Sequence, residues 1–383
     1  MAAPRRTHEF FDLYTRDFSS SDFQRLFTHD ARDAYRFFSR HLDEEKFREL
    51  PTLKRWTVQT RLFFLAFALK LSPARRVLFG IALVMSLIGL LELFNGFGLV
   101  RVFILPFVPI RIPGPVWADG TMWLLGGFAL VNLLVLLEVA DKLSLKNDLE
   151  VARDIQLAML PQETYRAGGV EAAGKTRPAN TVGGNLYDIL PLTDGRLLFV
   201  LGDVAGKGSP AALLMALLLA MLRTLASDNL PPEILVEKLN RLVEKQTPGS
   251  RFITIFLAIL EPVSGELVYV NAGQTPPFLL SGGDTTLLRT GGMALGMFEE
   301  ATYTAGRCTL AKDDLLLLYS DGMTEAEDPE GRPLDEEGLR QHVQKNVSAP
   351  IDEIGPNLIR AVGQYAQSSK FADDLTVLAV RRV

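Results

Sequence analysis

The stretch LFVLGDVAGKGSPAA, residues 198–212, predicts an apolar strand that ends in Gly-Asp and is followed by a glycine-rich turn and a helix. Such a turn holds the carboxylate of Asp203 rigidly at the edge of a sheet. Hard divalent cations prefer carboxylate oxygens as ligands. Asp203 is therefore the first candidate for a metal ligand.

The same stretch departs from a nucleotide-binding P-loop, although Gly-Lys stands between a strand and a helix. A P-loop requires the pattern G-x-x-x-x-G-K-[ST]. Here Gly202 and Gly206 are one residue too close together, and Gly208 replaces the hydroxyl residue. We therefore interpret Lys207 as a solvated turn residue.

Three further segments place acidic or amide side chains beside predicted strands: GGNLYD at 183–188, LLLLYSDG at 315–322 and ADDLTVLAV at 372–380. Each alone is ordinary turn chemistry, because Asp-Gly and Asp-Asp are common at strand ends. Together, in this order, they resemble the metal-dependent Ser/Thr protein phosphatases, the PPM or protein phosphatase type 2C family. The similarity is to the bacterial SpoIIE and RsbU branch of that family.

The resemblance covers residues 150–383 and predicts an α+β fold. It includes an entry helix at 152–161, a hairpin with its loop at 252–277 and a glycine segment at 291–297. Hairpins joined by tight turns indicate antiparallel sheets. The family adds the full architecture, an α-β-β-α sandwich of two stacked antiparallel β-sheets flanked by helices.

The resemblance also implies a mechanism, in which two manganese or magnesium ions activate a water that attacks the phosphorus of phosphoserine or phosphothreonine. Carried over by motif, Asp203 would bridge both ions and the Val204 carbonyl would ligate one of them. Asp321 and Asp373 would complete the other ion, and Asp374 is the alternative to Asp373. The predicted catalytic residues are thus Asp203, Asp321 and Asp373.

Two positions depart from the family pattern. Asn185 stands where the first motif has aspartate, and Gln274 stands where the NAGH loop has histidine. An amide accepts a hydrogen bond from a metal-bound water but brings no negative charge, so we expect Asn185 to be an outer contact of a weaker metal site. The alternative to an enzyme is a weak or inactive pseudophosphatase that acts as a signalling scaffold.

Composition excludes several other chemistries. The four histidines, His8, His29, His41 and His342, lie beside no motif, and Cys308 is the single cysteine. This set provides no zinc site of the usual spacing and no phosphate-cradling cysteine loop. A single cysteine cannot form an intrachain disulfide, which fits a reducing compartment. A net charge of -5 does not indicate a surface that binds nucleic acid.

Two apolar runs are long enough to span a membrane, at 77–91 with its extension over 93–100, and at 121–137. Two buried helices in a large soluble core are the alternative. Lysines and arginines precede the first run and follow the second, whereas only Arg101 and Arg111 lie between the two runs. The positive-inside rule therefore places both termini in the cytoplasm. We therefore expect a multi-pass protein of the cell inner membrane, with an apolar outer segment at the interface or re-entering the membrane.

The resulting organisation has four parts. Residues 1–76 form a cytoplasmic and interfacial helical segment, 77–140 two transmembrane helices with a short outer loop, 141–160 a linker helix and 161–383 the phosphatase domain. The spacing in the linker alternates by four and three over Leu145, Leu149, Ala152, Gln156 and Met159. This spacing suits either a coiled coil that forms a homodimer or a helix packed on its own domain. The family implies a phosphoprotein substrate, such as a STAS-domain anti-sigma-factor antagonist.

Overall fold

The computed structural model describes residues 71–96, 102–105, 108–111, 118–246, 251–368 and 371–383. Two compact units divide the chain, Met1–Leu143 and Ser144–Val383. The predictions for residues 1–70, including the interfacial helix, lie outside the described residues.

The first unit contains a pair of long apolar helices. Its elements are α1 (Pro73–Gly96), β1 (Val102–Leu105), β2 (Val108–Arg111) and the start of α2 (Ala118–Met159). A Cβ at Gly89 would lie 2.7 Å from the carbonyl oxygen of Gly120, so small residues let the two helices approach closely. Both helices are long and apolar enough to cross a membrane, by length and composition. Strands β1 and β2 pair antiparallel, which sequence reasoning did not predict.

Helix α2 is continuous over 42 residues, about 63 Å at 1.5 Å per residue. It contains the second apolar run and nearly all of the predicted linker. No glycine or proline interrupts it between residues 128 and 159. The second apolar run and the linker therefore form one continuous helix.

The second unit is built from strands and helices that follow α2. The strands are β3 (Tyr165–Ala167), β4 (Val170–Arg177), β5 (Leu186–Pro191), β6 (Leu197–Val204), β7 (Ile253–Leu260), β8 (Glu266–Ala272), β9 (Phe278–Ser281), β10 (Asp284–Leu287), β11 (Gly291–Gly292), β12 (Gly306–Thr309), β13 (Leu315–Tyr319) and β14 (Leu375–Arg382). The helices are α3 (Ser209–Ala226), α4 (Pro232–Gln246), α5 (Asp335–Asn346) and α6 (Ile351–Ala366).

These strands form two six-stranded sheets. One has the order β10-β9-β13-β14-β4-β3, and the other β11-β8-β7-β6-β5 with β12 also paired to β8. All pairings are antiparallel except the short one between β11 and β8. The predicted antiparallel α-β-β-α sandwich is confirmed.

Alternation along β13 shows how the layers stack. Leu316 and Leu318 pack into the core shared with β6 and β7, whereas Leu315, Leu317 and Tyr319 pack toward α5 and α6. This period of two is that of a strand buried on both faces. Helix α3, although apolar enough to span a membrane, buries residues such as Met215 and Leu218 in the first core.

Candidate active site

Two pairs of strand ends meet at the edge of the sandwich. Asp203 lies at the end of β6, and the pairing of Leu186 with Gly202 brings Asn185 beside it. Asp321 follows β13, which pairs with β14 through Tyr319 and Val377, so it lies near the Asp373-Asp374 pair before β14. The antiparallel registers thus form two pairs of motifs, and the hydrogen bond from the Gly184 N–H to the Asp374 carboxylate joins the two pairs.

Glycines make this convergence possible. A Cβ at Gly184 would lie 3.0 Å from the Val204 carbonyl oxygen and 3.3 Å from Asp203 Oδ1, the oxygens of both predicted ligands on this loop. A Cβ at Gly322 would lie 2.5 Å from the Asp374 carbonyl oxygen. Glycine at these two positions therefore allows the loops of the site to approach each other closely.

Asp373 and Asp374 have different environments. The buried Asp374 carboxylate accepts hydrogen bonds from the backbone N–H groups of Ala179 (2.7 Å) and Gly184 (2.8 Å). The carboxylate of Asp373 is about one third exposed and faces Lys207 instead. Hydrogen bonds to the 179–184 loop thus occupy both carboxylate oxygens of Asp374. This arrangement favours Asp373 over Asp374 as a metal ligand.

Asn185 directly contacts Asp203. In the amide orientation that suits its neighbours, Nδ2 donates to Asp203 Oδ1 at 2.9 Å, and Oδ1 accepts from the hydroxyls of Thr376 (3.0 Å) and Ser320 (3.2 Å). Asn185 is buried. Its amide therefore orients the Asp203 carboxylate and takes part of its hydrogen-bonding capacity.

Gln274 lies on the wall behind Asp203. Its Oε1 accepts from the Thr254 hydroxyl at 2.9 Å, and Thr254 is the strand partner of Asp203. The buried Nε2 has no hydrogen-bond partner among the described residues. The Nε2 group of Gln274 is therefore available as a hydrogen-bond donor, and the contact of its amide with a metal-bound water stays a prediction.

Lys207 is exposed on its turn, as the sequence suggested, and it also makes an ion pair with a carboxylate of the site. Its ammonium is 2.9 Å from Asp373 Oδ2 and also donates to the Ala372 carbonyl. Sequence reasoning missed this contact because the partners lie 165 residues apart or more. The lysine of the glycine-rich turn belongs to the charged site.

Like charges and burial make Asp203 an unusual acid. Burial, followed by the nearby carboxylates of Asp321, Asp373 and Asp374, raises the pKa of Asp203 to about 8. Burial and the carboxylate of Asp373 also raise the pKa of Asp321. Clustered carboxylates with raised pKa values are characteristic of functional sites that a cation completes.

The oxygen donors suit magnesium or manganese, which prefer carboxylates and carbonyls. Within the described ranges, however, no three acidic, histidine or cysteine side chains already enclose a single point. Asn185 and Lys207 engage two of the carboxylates that an ion would need. The site therefore has oxygen donors that suit a metal, with Lys207 and Asn185 in contact with two of them.

Cys308 remains unsuited to nucleophilic catalysis. It lies in β12, and burial raises the pKa of its thiol to about 11. A thiol with a raised pKa is a poor nucleophile at neutral pH, because the thiolate is the reactive form.

Residues 193–383 match the family profile described as Stage II sporulation protein E (SpoIIE). Phosphoserine phosphatase RsbU of Bacillus subtilis (strain 168) is 27% identical over 240 residues, which cover 62% of this chain and 71% of RsbU. The C-terminal part of this chain belongs to the SpoIIE family of PP2C-type phosphatases. The resemblance identified from the motifs is thereby confirmed.

Solved structures agree with this SpoIIE-type domain. The RsbU and RsbW domains of Rv1364c from Mycobacterium tuberculosis are 30% identical, with a TM-score of 0.50 over 57% of this chain and 64% of that one. The SiaA-PP2C domain of Pseudomonas aeruginosa has a TM-score of 0.55 at 19% identity, over 63% of this chain and 98% of that domain. At that identity the second structure shows the fold alone.

The end of α2 contacts the site of the SpoIIE-type domain directly. Buried Gln156 donates from Nε2 to the Gly183 carbonyl (2.6 Å), and its Oε1 accepts from the Gly183 N–H (3.1 Å). One turn further on, Arg223 donates to the Met159 carbonyl and pairs with buried Asp188. The predicted seam residue Gln156 thus packs on its own domain.

Proposed function

We propose that this chain is a membrane-anchored, metal-dependent protein phosphatase that hydrolyses phosphoserine or phosphothreonine on a signalling protein. The observation that carries the proposal is the meeting of Asp203, Asp321 and Asp373 at one edge of two sheets. Burial and then the repulsion from the neighbouring carboxylates raise the pKa of Asp203, and a divalent cation relieves such repulsion.

The proposed residue roles follow the donor set. Asp203 would bridge two manganese or magnesium ions, and the Val204 carbonyl would add a ligand to one of them. Asp321 and Asp373 would hold the other. The ions would supply Lewis acidity and an activated water for attack at phosphorus. Around them, Asn185 would orient the Asp203 carboxylate, and Asp374 would fix the loop that carries Gly184.

The proposed substrate is a phosphoprotein, and a phosphorylated STAS-domain anti-sigma-factor antagonist is the specific candidate. RsbU, which is 27% identical, is named a phosphoserine phosphatase. Two cations flank the turn after Asp203 and suit a phosphate group. One is Lys207, and the other is Arg251, whose Nη1 lies near Gly206 and is buried without a partner among the described residues.

The proposed location is the cell inner membrane, with both termini and the phosphatase domain in the cytoplasm. Support comes from the two helices of the first unit, which are long and apolar enough to cross a bilayer. Arg75 at the start of α1 pairs with Glu138 (3.2 Å) and Asp141 (2.7 Å) of α2. These contacts clamp the two helices together where the apolar run of α2 ends.

The proposed function of the rest of α2 is to connect the membrane hairpin to the site, alone or as part of a homodimer. The helix is continuous, and Gln156 at its end bonds to Gly183 of the first site motif. Exposed Leu145 and half-buried Leu149, upstream of Gln156, are available to a second copy of the helix. A rotation of the helix would then move Gly183.

A second candidate function is that of a pseudophosphatase, which binds its partner without hydrolysis. The specific observation in its favour is that Lys207 and the Asn185 amide already compensate two site carboxylates. We favour the enzyme, because a binding module has no chemical need for three carboxylates at these turns.

Purified residues 141–383 test the proposal directly, with a phosphoserine protein and an aryl phosphate as substrates. We expect hydrolysis in manganese or magnesium and none in excess chelator. Full activity in chelator would contradict the metal mechanism. Metal binding without hydrolysis of either substrate would favour the pseudophosphatase.

A further inference from the structure

Lys207 reaches across the site to a distant loop. It stands between Gly206 (φ 108°) and Gly208 (φ 76°), two backbone conformations that favour glycine. From this turn its ammonium contacts Asp373 Oδ2 at 2.9 Å and the Ala372 carbonyl. The side chain is about half exposed, so it is free to leave without opening the core.

The carboxylate that Lys207 contacts is also a proposed metal ligand. Magnesium and manganese bind carboxylate oxygens at about 2.0–2.2 Å. An ion bound to Asp373 Oδ2 at that distance would lie within a few ångströms of the ammonium and repel it strongly. The ammonium and the ion would therefore compete for this oxygen in the observed geometry.

We propose that Lys207 is an internal counter-cation that competes with a divalent metal ion for Asp373, so that metal binding requires release of Lys207. This inference rests on the proposed function, because it takes the metal to bind at Asp373. It assigns Lys207 as a positioning residue that sets how much metal the site needs. The released ammonium then lies at the mouth of the site, where a phosphate enters.

Two opposite effects follow from removing this charge. The metal-free protein loses an ion pair within a carboxylate cluster, so Lys207→Met lowers its unfolding midpoint. The metal-bound protein loses only a competitor, so the dissociation constant for Mn²⁺ falls. We expect a decrease of about 5–150-fold, the range typical of coupling between two ligands.

The experiment uses the full chain in detergent micelles without substrate. Mn²⁺ binding is measured by calorimetry, and unfolding midpoints are measured in chelator and in Mn²⁺. Lys207→Met is compared with Lys207→Arg, which keeps the competing charge, and with Lys238→Met. Lys238 pairs with Asp228 at 3.5 Å in the α3–α4 region, away from the site, and controls for loss of a surface lysine.

Tighter Mn²⁺ binding and a lower chelator midpoint in Lys207→Met alone support the proposal. A dissociation constant within twofold of the parent overturns it, even if the parent hydrolyses phosphoprotein with Mn²⁺. If the parent binds no Mn²⁺, the proposed enzymatic function fails. In that case, Mn²⁺ binding by Lys207→Met still supports competition between Lys207 and the metal. If neither protein binds Mn²⁺, the competition proposal is overturned as well.

Discussion

The two sheets supply carboxylates to the site, but each sheet compensates their charge differently. At the β5–β6 edge, Asp203 faces the neutral amide of Asn185, and its pKa rises to about 8. At the β13–β14 edge, Asp373 pairs with an ammonium and Asp374 with two backbone N–H groups. The partner that each carboxylate has, rather than its place in a motif, therefore indicates its role.

The largest expected effect is on the first of these edges. Asp203→Ala removes the ligand proposed to bridge both ions, so phosphatase activity should fall by more than the roughly 10–100-fold typical of residues that contact metal ligands. Initial rates of residues 141–383 at saturating Mn²⁺ measure the loss. Asp284→Ala, an exposed aspartate in β10, is the control and should retain the parent rate. Parent-like activity in Asp203→Ala would show that Asp203 is not a metal ligand that the reaction needs.

The second edge allows a comparison of neighbours. Asp374→Ala leaves the N–H groups of Ala179 and Gly184 without their acceptor, and should destabilise the domain by on the order of 3 kcal/mol. Asp373→Ala removes an exposed ion pair and should change stability by less than about 1 kcal/mol, while lowering activity. Thermal unfolding in chelator and rates in Mn²⁺ separate the two. The reverse pattern would make Asp374 the ligand.

Part of this fold and of the candidate site could be predicted from the sequence. The strand within 315–322 and the hairpin within 252–277 were predicted from the sequence and are present as β13 and as β7 with β8, because apolar runs and turn residues are local signals. The meeting of the four motifs followed from the family resemblance. The site residues themselves remain predictions until the variants above are measured.

The contacts that the sequence did not reveal are all long-range. Lys207 with Asp373, Gln156 with Gly183 and Asp374 with Ala179 join residues between 27 and 195 positions apart. A side chain on a loop has no periodicity that would indicate its partner. The strand registers of β5–β6 and β13–β14 position the loop residues, and the last turns of α2 bring Gln156 to Gly183.

The electrostatic difference between the edges predicts a pH dependence. The pKa of Asp203 is raised from 3.8 to about 8 in the folded protein, so the folded state holds a proton that the unfolded state releases above its lower pKa. Stability from this group is fully present below about pH 4 and is lost as pH rises through about 8. The raised pKa values of Asp321 and Asp374 act in the same direction.

The unfolding midpoint of the metal-free domain should therefore decrease between pH 5 and pH 8, by about 2–4 °C for each kcal/mol lost. Saturating Mn²⁺ should reduce the decrease, because an ion replaces the proton as the partner of the carboxylate. Asp203→Asn should flatten the metal-free profile. A midpoint that rises over this range in chelator would contradict the charge clustering.

The smallest expected effect concerns Asn185, where the chain departs from the family pattern. Asn185→Asp replaces the amide donor, 2.9 Å from Asp203 Oδ1, by a second carboxylate. Without metal the two carboxylates repel each other, so the midpoint in chelator should fall. With metal the added charge strengthens ion binding, and half-saturating Mn²⁺ should fall by up to about tenfold, at the low end for an outer contact.

Titration of Mn²⁺ against initial rate for both proteins measures this effect, with Asn357→Asp on α6 as the matched control for one added charge. The maximal rate should change little, because Asn185 contacts a proposed ligand rather than the substrate. Unchanged metal dependence in an active enzyme would show that Asn185 lies outside the metal site. If neither protein hydrolyses substrate and only Asn185→Asp binds Mn²⁺, then Asn185 is the substitution that makes the natural chain a pseudophosphatase.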